Sequence, residues 1–153
     1  MTRLGVLGST RGTDLEAILS AINNKKLAAE VSVVISNREK AYILTRAKNH
    51  KVPSFFISHK DKSRKEFDRN VTTILKQYNV ELVLLIGFMR ILSAEFCQAW
   101  RDRVLNVHPS LLPKYAGGMD MNVHEEVLKS GDHETGCTIH FVTETVDSGP
   151  ILV

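Results

Sequence analysis

Asn106 and His108 lie two residues apart in Val104-Leu105-Asn106-Val107-His108-Pro109, an apolar run that follows the charged cluster Arg101-Asp102-Arg103. Val104, Leu105 and Val107 suit a buried strand, and Pro109 ends it because proline has no N–H for a sheet ladder. Residues two apart on a strand point to one face. A neutral amide donor and an imidazole therefore converge at a strand end, a pair able to hold an oxygen that becomes negative during a reaction. Taken alone, the same pattern also describes a polar strand end packed under a proline turn. Asp147, in the turn-rich Val146-Asp147-Ser148-Gly149-Pro150, is open to two readings as well. It can bond local backbone N–H groups. Alternatively, if the fold brings it to His108, its carboxylate favours the imidazolium form. His140, in the alternating segment Thr138 to Val142, is the other acid–base candidate, against the plainer role of a partly buried strand histidine.

Two further stretches can bind rather than react. Gly8-Ser9-Thr10-Arg11-Gly12 fits neither the dinucleotide fingerprint nor the Walker A spacing. It still joins a strand to a helix start, where free N–H groups and the helix dipole attract anions, and Arg11 adds positive charge. The other reading is a tight turn without a ligand. Gly87-Phe88-Met89-Arg90-Ile91-Leu92 reads either as core followed by a surface arginine or as an apolar pocket wall with one charged anchor.

The elements that must position these residues alternate. Leu4 to Leu7 reads as a short buried strand. Thr13-Asp14-Leu15-Glu16 opens a helix as a capping box, with Thr13 as N-cap and Glu16 reaching back, and Leu15, Ile18, Leu19 and Ile22 give it an apolar face. Glu30 to Ser36 is a second strand. Residues 37–50 form a helix with Ala41, Leu44 and Ala47 inward, and Val52 to Ile57 is a third strand. Lys60 to Tyr78 is a polar-faced helix with Phe67, Val71, Ile74 and Leu75 inward. Leu82 to Ile86 is a fourth, continuously apolar strand, and Ser93 caps a short helix through Trp100. After an irregular stretch from Lys114 to Met121, a helix capped at Asn122 runs to Gly131. Thr138 to Val142 and the three residues from Ile151 are strand-like. Strands alternating with helices predict an α/β, Rossmann-like, doubly wound and mostly parallel sheet. Such sheets bind ligands beyond the carboxyl ends of their strands, where all three candidate stretches fall.

A chain of 153 residues fits one domain, 1–153, with a real core. The net charge of +3 is spread out, and no block of like charge reads as a nucleic-acid arm. Cys97 and Cys137 are far apart and outside any C-x-x-C pair, so neither a metal site nor a disulfide framework is expected, and both suit reduced thiols of a cytoplasmic protein. The longest apolar run is too short to span a bilayer, and no secretory leader is visible, so no membrane partner is expected.

With Asn106 to Pro113, Gly136 to Val142, Asp147 to Ile151 and Gly87 to Leu92 in view, the chain resembles the phosphoribosylglycinamide formyltransferases, the folate-dependent glycinamide ribonucleotide transformylases of purine biosynthesis. The similarity runs from Leu4 to the last residue, and four separate stretches agree in order and spacing. The resemblance implies a catalytic trio of Asn106, His108 and Asp147. It implies a folate site at Arg90, Ile91, Leu92 and the backbone beside His140, with Arg64 at its edge and Met89 between it and the nucleotide. It implies a nucleotide phosphate site at Gly12, Thr13 and Asp14, with Gly87 and Pro109 nearby. The implied reaction moves a formyl group from the co-substrate 10-formyltetrahydrofolate to the amine of glycinamide ribonucleotide, with no metal.

Two departures from the family pattern stand out. Asp14 occupies a position where the family typically has a neutral Asn beside the phosphate. The sequence also stops at Val153, before the further strand and helix of family members. The expectation is a mobile loop at 144–149, an uncovered apolar face hidden by self-association into a homo-oligomer, and a poor or inactive catalyst. Three alternatives remain open: a relative acting on methionyl-tRNA, which would need an added RNA-binding domain; a deformylase that gives the formyl group to water; and a non-catalytic binding module.

Overall fold

The computed structural model describes residues 1–108 and 138–142. The expected turn at Pro109, the helix from Asn122, the Asp147 loop and the strand from Ile151 all lie outside the described residues.

Five strands alternate with four helices: β1 (Thr2–Gly8), α1 (Thr13–Asn23), β2 (Ala29–Ser36), α2 (Tyr42–Asn49), β3 (Ser54–Phe56), α3 (Arg64–Gln77), β4 (Leu82–Ile86), α4 (Ala94–Ala99) and β5 (Val104–His108); β6 (Thr138–Phe141) completes the described elements. They form one sheet in the order β3-β2-β1-β4-β5-β6. The first five strands are parallel, and β6 runs antiparallel to β5. The mostly parallel, doubly wound reading holds. The sheet has helices on both faces, which is why β2 and β4 are apolar runs rather than alternating strands. Leu4, Val6, Val34 and Ile86 pack with Leu15, Leu19, Ile43 and Ala47 of α1 and α2. On the other face, Leu7, Val83, Leu85 and Val104 pack with Phe67, Val71 and Leu75 of α3 and Phe96 and Trp100 next to it.

Several element boundaries differ from the sequence reading, each for a physical reason. Thr13 is not the N-cap of α1. Gly12 is, in the left-handed conformation (φ 70°, ψ 37°), and no side chain caps the helix. Glu16 does not reach back. Its carboxylate meets His50 Nε2 at 3.1 Å and lies 3.9 Å from Arg46 Nη1. The second helix begins at Tyr42 rather than residue 37, because Asn37 is turned inward to accept a hydrogen bond from Ser9, and Arg38 N–H goes to Ser36 Oγ instead of a helical carbonyl. The third strand shrinks to Ser54–Phe56 at the sheet edge, and the third helix starts at Arg64, capped by the Ser63 hydroxyl on Glu66 N–H.

Candidate active site

The chain turns back on itself at β1. It winds outward through β2 and β3, then crosses to the other side of β1 with β4 and β5. A crevice opens beyond the carboxyl ends of the strands at such a reversal. Three segments lie at those ends: the loop after β1, the loop after β4 and the end of β5.

The loop after β1 is held from several sides. Ile43 N–H donates to Thr10 O at 3.0 Å, and Arg46 Nε donates to Arg11 O at 2.6 Å. A Cβ on Gly12 would collide with the Ile43 side chain, so both its positive φ and its close packing demand glycine. With no side-chain cap, the first N–H groups of α1, from Thr13 and Asp14 onward, are left to an external acceptor. Thr13 and Asp14 are exposed at this start.

The loop after β4 approaches from the other side. Gly87 also has positive φ (58°), and a Cβ there would strike Thr10 Oγ1. Ser9 N–H donates to Gly87 O at 3.1 Å, and Met89 N–H donates to Ser9 Oγ at 2.8 Å. Beyond Met89, Arg90 lies with its Cζ 4.3 Å from the Phe67 ring centroid. Its Nε is buried without a hydrogen-bond partner among the described residues, a donor that a bound polar ligand could satisfy. Ile91 is 50% exposed, while Leu92 turns into the core. Arg64, at the first turn of α3, is exposed nearby in charge terms: it and Arg90 both act on Asp68.

Asn106 and His108 both belong to β5, two positions apart, with Asn106 beside Leu85 of β4. Along β5 the two positions are in phase with Val104, two and four residues on. Antiparallel pairing then sets His140 directly opposite Asn106 and Thr138 opposite His108. Through this register, position 140 neighbours position 106 across the β5–β6 pairing. Pro109 and Asp147 lie outside the described residues.

Three residues to which the sequence alone assigned no role hold these segments. Asp68 is 3% exposed on α3 and accepts the N–H of Ser93 at 2.7 Å. Burial raises its carboxyl above the usual value, while the Ser93 hydrogen bonds and the Arg90 and Arg64 charges oppose that rise. Its signal was present: an acidic residue three and seven positions before Val71 and Leu75, on the apolar stripe of a helix. Ser9 and Asn37 are the first polar side chains past the ends of β1 and β2, a place where such groups turn to one another. Among the described residues, no group of His, Cys, Asp and Glu could hold a metal ion.

The chain matches the formyl transferase family over residues 2–153. It is 46% identical over 154 residues to the trifunctional purine biosynthetic protein adenosine-3 of Drosophila melanogaster, with 99% of this chain aligned but only 11% of that protein's length. It is 40% identical to the phosphoribosylglycinamide formyltransferase of Haemophilus influenzae over all of this chain and 71% of that enzyme. The crystal structure of glycinamide ribonucleotide transformylase 1 from Symbiobacterium toebii superposes with a TM-score of 0.94 at 40% identity, again over all of this chain and 71% of the other.

Proposed function

The chain belongs to the formyl transferase family, in the branch of the phosphoribosylglycinamide formyltransferases, and we propose that it formylates the primary amine of glycinamide ribonucleotide in de novo purine biosynthesis, with 10-formyltetrahydrofolate as donor. The observation that carries this reading is the placement of Asn106 and His108 on one strand end, next to the two loops that meet at the sheet reversal. In this reading the ribonucleotide phosphate takes the uncapped start of α1 at Gly12, Thr13 and Asp14. The folate lies along Met89 to Leu92 and the β6 backbone at His140, with Arg64 at its edge. Gly87 and Pro109 are assigned to the ribonucleotide side. Arg90 Nε, which has no hydrogen-bond partner among the described residues, supports a polar ligand on the folate side.

The amine nitrogen attacks the formyl carbon, and the carbonyl electrons move onto oxygen to form a tetrahedral oxyanion. Asn106 donates its amide N–H to that oxygen, and the His108 imidazolium donates a second hydrogen bond. Asp147 keeps His108 charged and passes the proton lost by the attacking amine, through water, to the folate nitrogen as it leaves. The oxyanion collapses, the carbon–nitrogen bond to folate breaks, and formylated ribonucleotide and tetrahydrofolate remain. Orientation of two bound molecules supplies much of the acceleration, because it removes the entropy of bringing them together. Among the described residues, no helix is long and apolar enough to cross a membrane. Cys97 lies buried in the core, which fits a thiol kept in the reducing cytoplasm, where we place the reaction.

Turnover of Asn106→Ala and His108→Ala beside wild type tests the assignment. Each loss of an oxyanion donor should cost roughly 10²-fold in kcat with the fold intact. Variants within a few-fold of an active wild type would show that this strand end is not the reacting centre.

A further inference from the structure

We propose that Ser9 is a positioning residue for the transfer, holding the Met89-to-Leu92 segment in register with the loop that opens α1; this role rests on the formyl-transfer reading above. Ser9 is 2% exposed and sits one residue past β1. Its hydroxyl proton goes to Asn37 Oδ1 at 2.5 Å, and its oxygen accepts Met89 N–H at 2.8 Å. Its own N–H donates to Gly87 O at 3.1 Å. The loops after β1, β2 and β4 therefore meet at one hydroxyl. Asn37, itself 5% exposed, takes the single proton and so leaves a lone pair facing Met89. One residue on, the Thr10 hydroxyl fills the space that a Cβ on Gly87 would need.

The consequence is geometric. Three residues after Ser9 comes the phosphate-side start of α1, and one residue after Met89 comes the folate-side Arg90. Removing the hydroxyl leaves each subsite its own contacts but frees one loop from the other. Transfer between two bound molecules depends on their separation, and a misplacement of about 1 Å can cost about 10²-fold. Ser9→Ala should therefore lower kcat per active site by about tenfold or more, with both KM values within a few-fold of wild type. A merely structural serine would lower the folded fraction and leave kcat per site unchanged.

The experiment compares the purified chain with Ser9→Ala and Asn37→Ala, counting sites by calorimetry with tetrahydrofolate and following hydrogen exchange of the Met89 amide. Ser32→Ala serves as control, because Ser32 Oγ is buried without a hydrogen-bond partner among the described residues. The expected result is a kcat loss in Ser9→Ala, a smaller one in Asn37→Ala, faster Met89 exchange in both, and no change in Ser32→Ala. Wild-type kcat per site in folded Ser9→Ala overturns the proposal; if that variant does not fold, wild-type kcat in Asn37→Ala does so. A wild-type chain that transfers no formyl group overturns the functional reading and this role with it, and Met89 exchange then reports separately whether the tether exists.

Discussion

Asp68 on α3 accepts the backbone N–H of Ser93 at 2.7 Å, across 25 residues of sequence, and so ties the end of the Arg90-Ile91-Leu92 segment to the helix beneath it. The carboxylate is almost fully buried, and burial outweighs the Ser93 hydrogen bonds and the nearby Arg90 and Arg64 in setting its proton affinity. A side chain that holds this segment thus also carries an electrostatic cost.

That cost has a definite sign. The folded-state pKa of Asp68 lies above the ordinary 3.8, so between those two values the folded chain binds more protons than the unfolded one. Stability from this group is therefore present below 3.8 and falls as pH rises through the folded value. Asp68→Asn keeps an acceptor for Ser93 N–H and removes the titration. In urea unfolding from below 3.8 to neutrality, the stability difference should move in favour of Asp68→Asn as pH rises, then level off. A constant difference across the series would mean that burial does not raise this carboxyl.

Gly12→Ala should destabilise the chain by at least about 2 kcal/mol. A left-handed conformation costs a residue with a Cβ about 1–2 kcal/mol. The added methyl also meets the side chain of Ile43, where overpacking costs about 1–3 kcal/mol more. Denaturant midpoints read this directly, and an unchanged midpoint would show that the loop relaxes freely.

Asp14 stands at the uncapped start of α1, where the proposed phosphate binds. A like charge there opposes the ligand, so Asp14→Asn should tighten glycinamide ribonucleotide binding by about twofold to fivefold, the usual scale for a charge near a helix start. Calorimetry showing equal or weaker binding would mean that Asp14 turns away from the phosphate.

The parts of the fold legible in the sequence were those fixed by burial. β4 matches its apolar run to the residue, because a strand covered on both faces has no polar alternation to blur its ends. Ser93 was recognisable as the cap of α4, since a serine before an apolar-periodic stretch acts locally. The start of α1 was not, because Thr13 and Glu16 satisfy a local rule that Ile43, Arg46 and His50 override through tertiary contacts. The start of α2 failed for the same reason, with Asn37 drawn to Ser9. In the candidate site, the spacing of Asn106 and His108 was readable, because strand period is local. The pairing of His140 with Asn106 was not, because it depends on the register of a strand more than thirty residues away.

The central claim is that a formyl group leaves the folate and arrives on the ribonucleotide amine. The most direct measurement is a reaction of the purified chain with glycinamide ribonucleotide and 10-formyltetrahydrofolate carrying ¹³C in the formyl carbon, followed by NMR. The account predicts that the labelled carbon moves to the amide of formylated glycinamide ribonucleotide, with stoichiometric tetrahydrofolate. Label accumulating as formate would identify water as the acceptor, and label remaining on the folate would contradict the transferase account outright.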